Sequence, residues 1–456
     1  MKKLNQLEES KFLRLFFAFV SVCFIIAAFI LPDRATAFSG LWKIMTSTCK
    51  ISTNYFWLGG YAATFLNMGV VGLFCLLLVS LPGAKPNNVT TLGVILTIGF
   101  GSWGMNVVNM IPTVLGVCLY ALVKKEKLGA VSNAMLYSTG IAPLISELLF
   151  RYPNNPGFSL MGLGLALVVG VFIGFFLPAG LAHAPACHKG YVHYSAALPV
   201  GLTAFFLRAV LYNVMLGTTP AKLELSTAAA PEYNFFYACN IFSVVLFATF
   251  IVVALLMGCK LKDYWNLMKD SGHGVSFTAK YGNAAFLMNA GVFGLMIVAY
   301  YNFAALIDPA QTISNVWTGM TFGIVFCMVC TCNSGSHPRN VLPIMAGYVL
   351  FSYLFGWISG LLGVEQYALS IGSQTILIGL CYANGLSPIA GKYGFVHGML
   401  VAGLHYLLVS AVPDMHGGFL LYNGGFTATL ICILFVPQLE KFCKTKEERR
   451  LAKIAK

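Results

Sequence analysis

The sequence predicts an all-α polytopic membrane protein made of two repeated halves. Three observations predict it: too little charge for a water-facing surface, apolar runs of membrane length, and four motifs that recur in one order. Of 456 residues, 58% are hydrophobic and 9% are charged. A soluble domain carries about 25% charged residues. A spanning helix needs roughly 20 apolar residues. Phe12 to Leu31 is one such run, and Ile241 to Gly258 is the core of another. No polar stretch is long enough to build a soluble domain.

The net charge of +13 is concentrated at the termini. Residues 441–456 hold seven Lys or Arg against two Glu, and the first 14 residues hold four against two. Such tails lie against anionic head groups on the cytoplasmic side of an inner membrane. Membrane lipid is therefore an expected partner and nucleic acid is not. The 13 cysteines sit mostly in apolar runs, where they act as small hydrophobes. Cys327, Cys330 and Cys332 cluster without an acidic neighbour, so neither a metal nor another cofactor is expected. Ala35-Thr36-Ala37 resembles a signal-peptidase site. The apolar run before it exceeds the usual signal core of about 7–15 residues, so it is read as a retained helix.

Internal repetition organises the chain. Gly60-Tyr-Ala62-Ala63-Thr-Phe-Leu-Asn67-Met-Gly69-Val70-Val-Gly72-Leu73 aligns without gaps to the 14 residues from Gly282 to Leu295, with eight identities. Gly104, Asn109, Pro112 and Gly116 match Gly335, Asn340, Pro343 and Gly347 at equal spacing. Tyr137-x-x-Gly140-x-x-Pro143 matches Tyr382-x-x-Gly385-x-x-Pro388. His188-x-Gly190-Tyr191-x-x-Tyr194 matches His416-x-Gly418-Phe419-x-x-Tyr422. The first transmembrane repeat is residues 1–216 and the second is 236–440. An extracytoplasmic linker, 217–235, joins them, and a basic cytoplasmic tail, 441–456, follows.

Each half holds about seven apolar segments; several are short or interrupted, and both crossing and re-entrant paths stay open for these. An odd number makes the second half enter from the opposite face. With both termini cytoplasmic, the inside loops carry 22 Lys or Arg and the outside loops carry 5. That is a strong positive-inside bias. Matching loops on opposite faces make an inverted repeat, a common transporter plan. Loop 32–56, with three basic residues outside, is the one poor fit.

Transporters of this plan hold their solute near the midplane, where broken helices bring backbone dipoles. Irregular backbone survives there only when buried or lining a cavity. The candidate pathway is therefore the pair of Gly-Pro breaks, with Tyr137, Thr139, Gly140 and Pro143 in one half and Tyr382, Asn384, Gly385 and Pro388 in the other. Asn67 and Asn289 are added because a buried carboxamide either binds a polar solute or ties two helices together. His188 and His416 open the last segment of each half, where a titrating imidazole serves a relay or sits at the interface. Tyr194 and Tyr422 complete that motif. His405 has no repeat partner and reads as packing. Glu147 and Arg151, spaced i,i+4 at a segment end, read as an interfacial pair, and Arg208 as a snorkelling side chain.

Only Glu147 of the 15 acidic residues falls clearly inside an apolar segment. Cation-coupled carriers generally place carboxylates there. No phosphate-binding Gly-Lys-Ser/Thr loop, zinc-protease helix or Gly-x-Ser-x-Gly elbow is present. The leading expectation is a channel or transporter for a small, polar, neutral solute. A carrier coupled to Na⁺ or H⁺ comes next. Third is an integral-membrane enzyme or assembly subunit. An enzyme would need His, Asp or Glu clustered at one membrane face, so no enzymatic activity is expected. Association as a homo-oligomer stays open.

The whole chain, with these Gly-, Asn- and His-rich motifs, resembles a family of bacterial membrane proteins known only as domain of unknown function 1576. The order Phe65-Leu66-Asn67 with Gly69, then Tyr137-x-x-Gly140, then Leu198-Pro199 is also similar to the half-repeats of urea transporters. That family has Phe-Leu-Gln, Asn-Gly and Leu-Pro-Thr-Pro-Phe elements. Here Asn67 stands in place of Gln, the Asn-Gly pair survives as Asn384-Gly385, and Phe426-Thr427 lacks the prolines. The resemblance implies a urea-like solute.

Overall fold

The computed structural model describes residues 1–51, 53–153, 157–220, 236–307, 316–364 and 370–455. Most of the 217–235 linker lies outside the described residues. The described residues are mostly helical with no strand among them, and ten helices are long and apolar enough to cross a membrane. The protein is thus an all-α polytopic membrane protein.

The first half runs α1 (Glu9–Ile30), α2 (Ala37–Met45), α3 (Tyr61–Leu78), α4 (Asn88–Phe100) and α5 (Val107–Lys124). A broken segment follows: α6 (Ser132–Ser138), a 3-10 turn at Thr139–Ile141, and α7 (Ala142–Phe150). Then come α8 (Leu160–His188) and α9 (Ala197–Arg208). The second half runs α10 (Phe236–Leu256), α11 (Leu261–Leu267), α12 (Asn283–Ile307), α13 (Gly319–Val329) and α14 (Pro338–Leu362). Its broken segment is α15 (Gln374–Ala383), a 3-10 turn at Asn384–Leu386, and α16 (Ser387–Tyr393). It closes with α17 (Phe395–Val409), α18 (Asn423–Phe442) and a tail helix α19 (Lys446–Ile454).

Packing follows the repeat. α1 pairs with α3 and α10 with α12; α5 pairs with α8 and α14 with α17. Across the centre, α4 packs on α13 and α9 on α18. The outer helices turn Leu15, Phe19, Val168, Phe176, Val245 and Tyr353 outward, a lipid-facing surface. Every residue of α13 is buried. At 13 and 11 residues, α4 and α13 reach about 20 Å and 16 Å. That falls short of a hydrocarbon core about 30 Å thick.

A helix that stops inside the protein leaves carbonyls without partners. The Asn67 Nδ2 amide donates to Gly101 O and Met105 O, at 2.7 and 2.8 Å. Asn289 donates to Cys332 O and Ser336 O, at 2.9 and 2.8 Å. Each Asn thus ties the middle of one helix to the reversal after its half-helix. The chain then turns through Gly104 (φ 83°) and Gly335 (φ 128°), a left-handed region open to glycine. Asn109 and Asn340 cap α5 and α14 and donate to the Gly104 and Gly335 carbonyls at 3.0 and 2.9 Å. Pro112 and Gly116 lie against Gly170 and Gly174 of α8, and Pro343 and Gly347 lie against Gly398 and Ala402 of α17. The Gly-Asn-Pro-Gly motif is therefore a device for restarting a helix and packing it closely. Loop 32–56 is not all loop. α2 exposes Phe38 and Trp42, while its Ile44 carbonyl accepts from Asn106.

Replacing Asn67 or Asn289 by Leu removes both bonds and strands two carbonyls. Each change is expected to destabilise the fold by about 1–3 kcal/mol. Because the clamps share no partner, the two losses should add. Thermal melting of the purified protein in detergent measures this, and unaltered melting of both variants would contradict the clamp.

Candidate functional site

The two breaks are built alike. Pro143 and Pro388 stand in the first turn of α7 and α16, where a missing N–H costs nothing. They restart a helix after a 3-10 turn and do not kink one. The carbonyls expected to face a solute are occupied. Gly140 O accepts from Leu421 N at 3.0 Å, and Gly385 O accepts from His193 N at 3.1 Å. Each break therefore receives an N–H from the other half.

The next residue along each donor strand is a tyrosine, and it covers the same glycine. Tyr422 lies on Gly140 and Tyr194 on Gly385, so close that a Cβ on Gly385 would sit 2.5 Å from the ring. Tyr194 also meets Tyr382 edge-on, with ring centres 5.2 Å apart, and Tyr422 meets Phe100 at 5.5 Å. The Tyr194 hydroxyl donates to Cys327 O and Cys381 O at 2.8 and 3.2 Å. Tyr382 donates to Leu421 O at 2.8 Å. These contacts make a buried aromatic septum that, among the described residues, holds no charged side chain.

Thr139, in the 3-10 turn, donates back to Leu136 O of α6 at 2.6 Å. Asn384 donates to Thr331 Oγ1 at 2.8 Å and ties its break to the turn after α13. The Oδ1 atoms of Asn67, Asn289 and Asn384 are buried and without a hydrogen-bond partner among the described residues.

A cavity lies on each side of the septum. One, of about 550 Å³, is lined by Asn133, Ala134, Tyr137, His193, Ser195 and Ser334, among others. The other, of about 280 Å³, is lined by Ile378, Gly379, Tyr382, Leu421, Asn423 and Trp103. Taken in those orders, the six are repeat partners at the spacings of the sequence motifs. Helix α5 runs from beside Trp103 to beside Glu126 of the larger cavity, about 27 Å over 18 residues, so the cavities open at opposite ends. Glu126 and Asp414 are the charged lining residues.

His188 and His416 stand back from both cavities. His188 accepts from Val192 N at 3.4 Å and bonds Ser195 at 2.8 Å. His416 accepts from Leu420 N at 3.2 Å and bonds Asn423 at 3.1 Å. They knit the turns before α9 and α18. The histidine at the larger cavity is His193, whose repeat partner is Leu421; selection by recurrence passes it over. His193 bonds Ser387 Oγ at 3.2 Å, and Ser387 bonds Ser336 at 3.1 Å. Burial, and then the neighbouring His188, His273 and His337, pushes His193 down to about 3. Burial likewise lowers His273, and takes His337 to about 4. His405 is a packing residue held by Tyr348 and the Gly424 carbonyl at 2.5 and 2.8 Å. Glu147 pairs with Arg151 at 2.9 Å and accepts from Tyr212 at 3.2 Å. The 13 cysteines are free thiols, and no group of three or more His, Cys, Asp or Glu suited to a metal occurs among the described residues.

A helical membrane protein with two opposed cavities and a closed centre is the class that this arrangement defines. The chain matches the family described as "Protein of unknown function (DUF1576)" over residues 33–213 and 257–441, and it belongs to that family. No curated protein and no solved structure matches it.

Two outcomes follow. Gly385→Ala pushes a methyl group into Tyr194 and is expected to cost about 1–3 kcal/mol by overpacking. Gly385→Ala with Tyr194→Phe should not restore stability, because phenylalanine keeps the ring, whereas Tyr194→Leu should restore part. Melting of the three variants checks this, and a neutral Gly385→Ala would refute the close contact. The second outcome concerns pH. His193 protonates more readily unfolded, near 6.5, than folded, near 3. Its contribution is complete above 6.5 and declines as pH falls. At pH 5 the loss is at most about 2 kcal/mol, since the side chain keeps an open edge on the cavity. His193→Gln should lessen the fall in melting temperature between pH 7 and pH 5; an equal fall would contradict the depressed value.

Proposed function

We propose that this protein is a transporter of a small, polar, uncharged solute, working between the two cavities across the tyrosine septum. The observation that carries the reading is the pairing of the cavities. Residues that match in sequence line opposite ends, so the halves are read as inverted repeats sharing one pathway. The absence of charge from the septum, among the described residues, favours a neutral cargo. Charge would be costly to move through apolar surroundings. The unpaired Asn384 Oδ1 beside Gly385 accepts hydrogen bonds, which suits a solute rich in N–H donors such as urea. The septum is closed in this structure, so passage requires Tyr194 and Tyr422 to leave their glycines. The basic end, which carries α19, is assigned to the cytoplasm of the inner membrane. Catalysis is no part of this reading.

A second reading is favoured by one observation. The His193–Ser387–Ser336 line runs from the larger cavity toward the septum and has the parts of a proton path. A proton-coupled carrier would use it.

Uptake into proteoliposomes separates the two. Urea, acetamide and glycerol are offered at equal gradients, with and without an imposed pH difference. The passive reading predicts entry of at least one, at initial rates independent of the pH difference, and faster entry through Gly385→Ala, whose methyl group disfavours the closed Tyr194 contact. Accumulation that an uncoupler abolishes, and that His193→Gln also abolishes, would replace it with the coupled reading. Failure of all three solutes to enter would contradict the neutral-solute assignment.

A further inference from the structure

At the same end as the larger cavity lies another, of about 770 Å³ and different chemistry. Four separated stretches wall it: residues 266–281 from the end of α11 onward, the start of α14, the end of α16, and residues 445–450 at the head of α19. Lys269, Lys280, Arg339, Lys392, Lys446 and Arg450 all line it, against two acids, Asp270 and Glu447. Asp270 is already committed. It accepts from Lys280 at 2.7 Å, Tyr281 at 2.9 Å and Gly272 N at 2.9 Å. Burial opposes its charge, but these bonds outweigh burial and hold its carboxyl below the ordinary range. Among the described residues, no carboxylate lies within 4.0 Å of the other five cations. Glu448, the next acid along, turns back to cap its own helix at Thr445 N, 2.6 Å away.

The walls are fixed to one another. His337 bonds Asp270 O at 3.0 Å and so ties the loop to the start of α14. The Arg449 guanidinium donates to Tyr393 O and pins α19 to the end of α16. A positive-inside bias alone spreads basic side chains along a face. Here five of them converge on one space with Glu447 alone as counter-charge beside the committed Asp270, and a bound anion relieves their mutual repulsion.

We propose that this cavity binds a phosphate-bearing anion, held by Arg339, Lys392, Lys446 and Arg450. Two guanidiniums suit phosphate because each offers a planar pair of N–H donors. The phosphate belongs either to an acidic lipid of the adjoining leaflet or to a soluble compound. The site is independent of the transport reading. It adjoins α16, the second limb of the broken segment that carries Gly385.

Thermal melting of the full chain tests this with two probes. Inorganic pyrophosphate is added to detergent-solubilised protein, and separately phosphatidylglycerol nanodiscs are compared with phosphatidylcholine nanodiscs. The expected result is a rise of several degrees with at least one probe. Arg339→Gln with Arg450→Gln should lose the rise, while Lys124→Gln with Lys125→Gln, basic residues outside the cavity, should keep it. Should the arginine pair fail to fold, Lys392→Gln with Lys446→Gln carries the same comparison. A rise with pyrophosphate alone assigns a soluble ligand, and a rise with phosphatidylglycerol alone assigns a lipid. No rise with either probe, or a rise that every variant shares equally, overturns the site.

Discussion

A helix that ends inside the apolar interior of a membrane protein leaves carbonyls that need partners, and this protein contains two such ends, those of α4 and α13. The free ends of α4 and α13 meet near the centre, where water cannot satisfy them. Backbone N–H groups of the following turn reach the last carbonyls of α4, Thr97 to Phe100, and Asn67 and Asn289 satisfy the next ones, in the reversals beyond the two helix ends, by reaching from α3 and α12 with two N–H donors each. Much of the interior depends on these clamps. They fix where the chain reverses, hence where α5 and α14 restart, hence how those helices lie against α8 and α17.

The breaks obey the same rule by another route. Gly140 and Gly385 expose carbonyls at their 3-10 turns, and each is satisfied by an N–H from the opposite half. The bond and the tyrosine beside it act together, because a glycine without Cβ admits both the ring and the donor strand. Closure of the centre thus follows from backbone satisfaction. On the proposed transport reading, opening it must break a backbone bond as well as move a ring, so a solute that supplies hydrogen bonds of its own is best placed to open it.

Much of this was legible in the sequence, and the reason is physical. A backbone need that arises twice is met twice with the same residue types, so Asn67 and Asn289, or Gly104 and Gly335, announce themselves by recurrence. Their chemistry was less legible than their position. Asn67 reads equally as a solute ligand or a tie until its two acceptors are seen. His188 and His416 recur because both knit a turn, and recurrence drew attention from His193, which has Leu421 as its counterpart. The basic cavity was invisible for a different reason. Four segments from 266 to 450 must fold together before Arg339 and Arg450 face one space. The amphipathic α2 lies in a stretch whose three basic residues mask its periodicity.

The central claim is that matched residues of the two halves open to opposite sides of the membrane. Ala130 and Thr375 are repeat partners; Ala130 lines the larger cavity and Thr375 the smaller. Each is changed to cysteine in a background whose native thiols are replaced. Labelling then uses a membrane-impermeant maleimide on sealed right-side-out and inverted vesicles. The account predicts that Ala130→Cys reacts only from the cytoplasmic side and Thr375→Cys only from the other. Labelling of both from one side would contradict it.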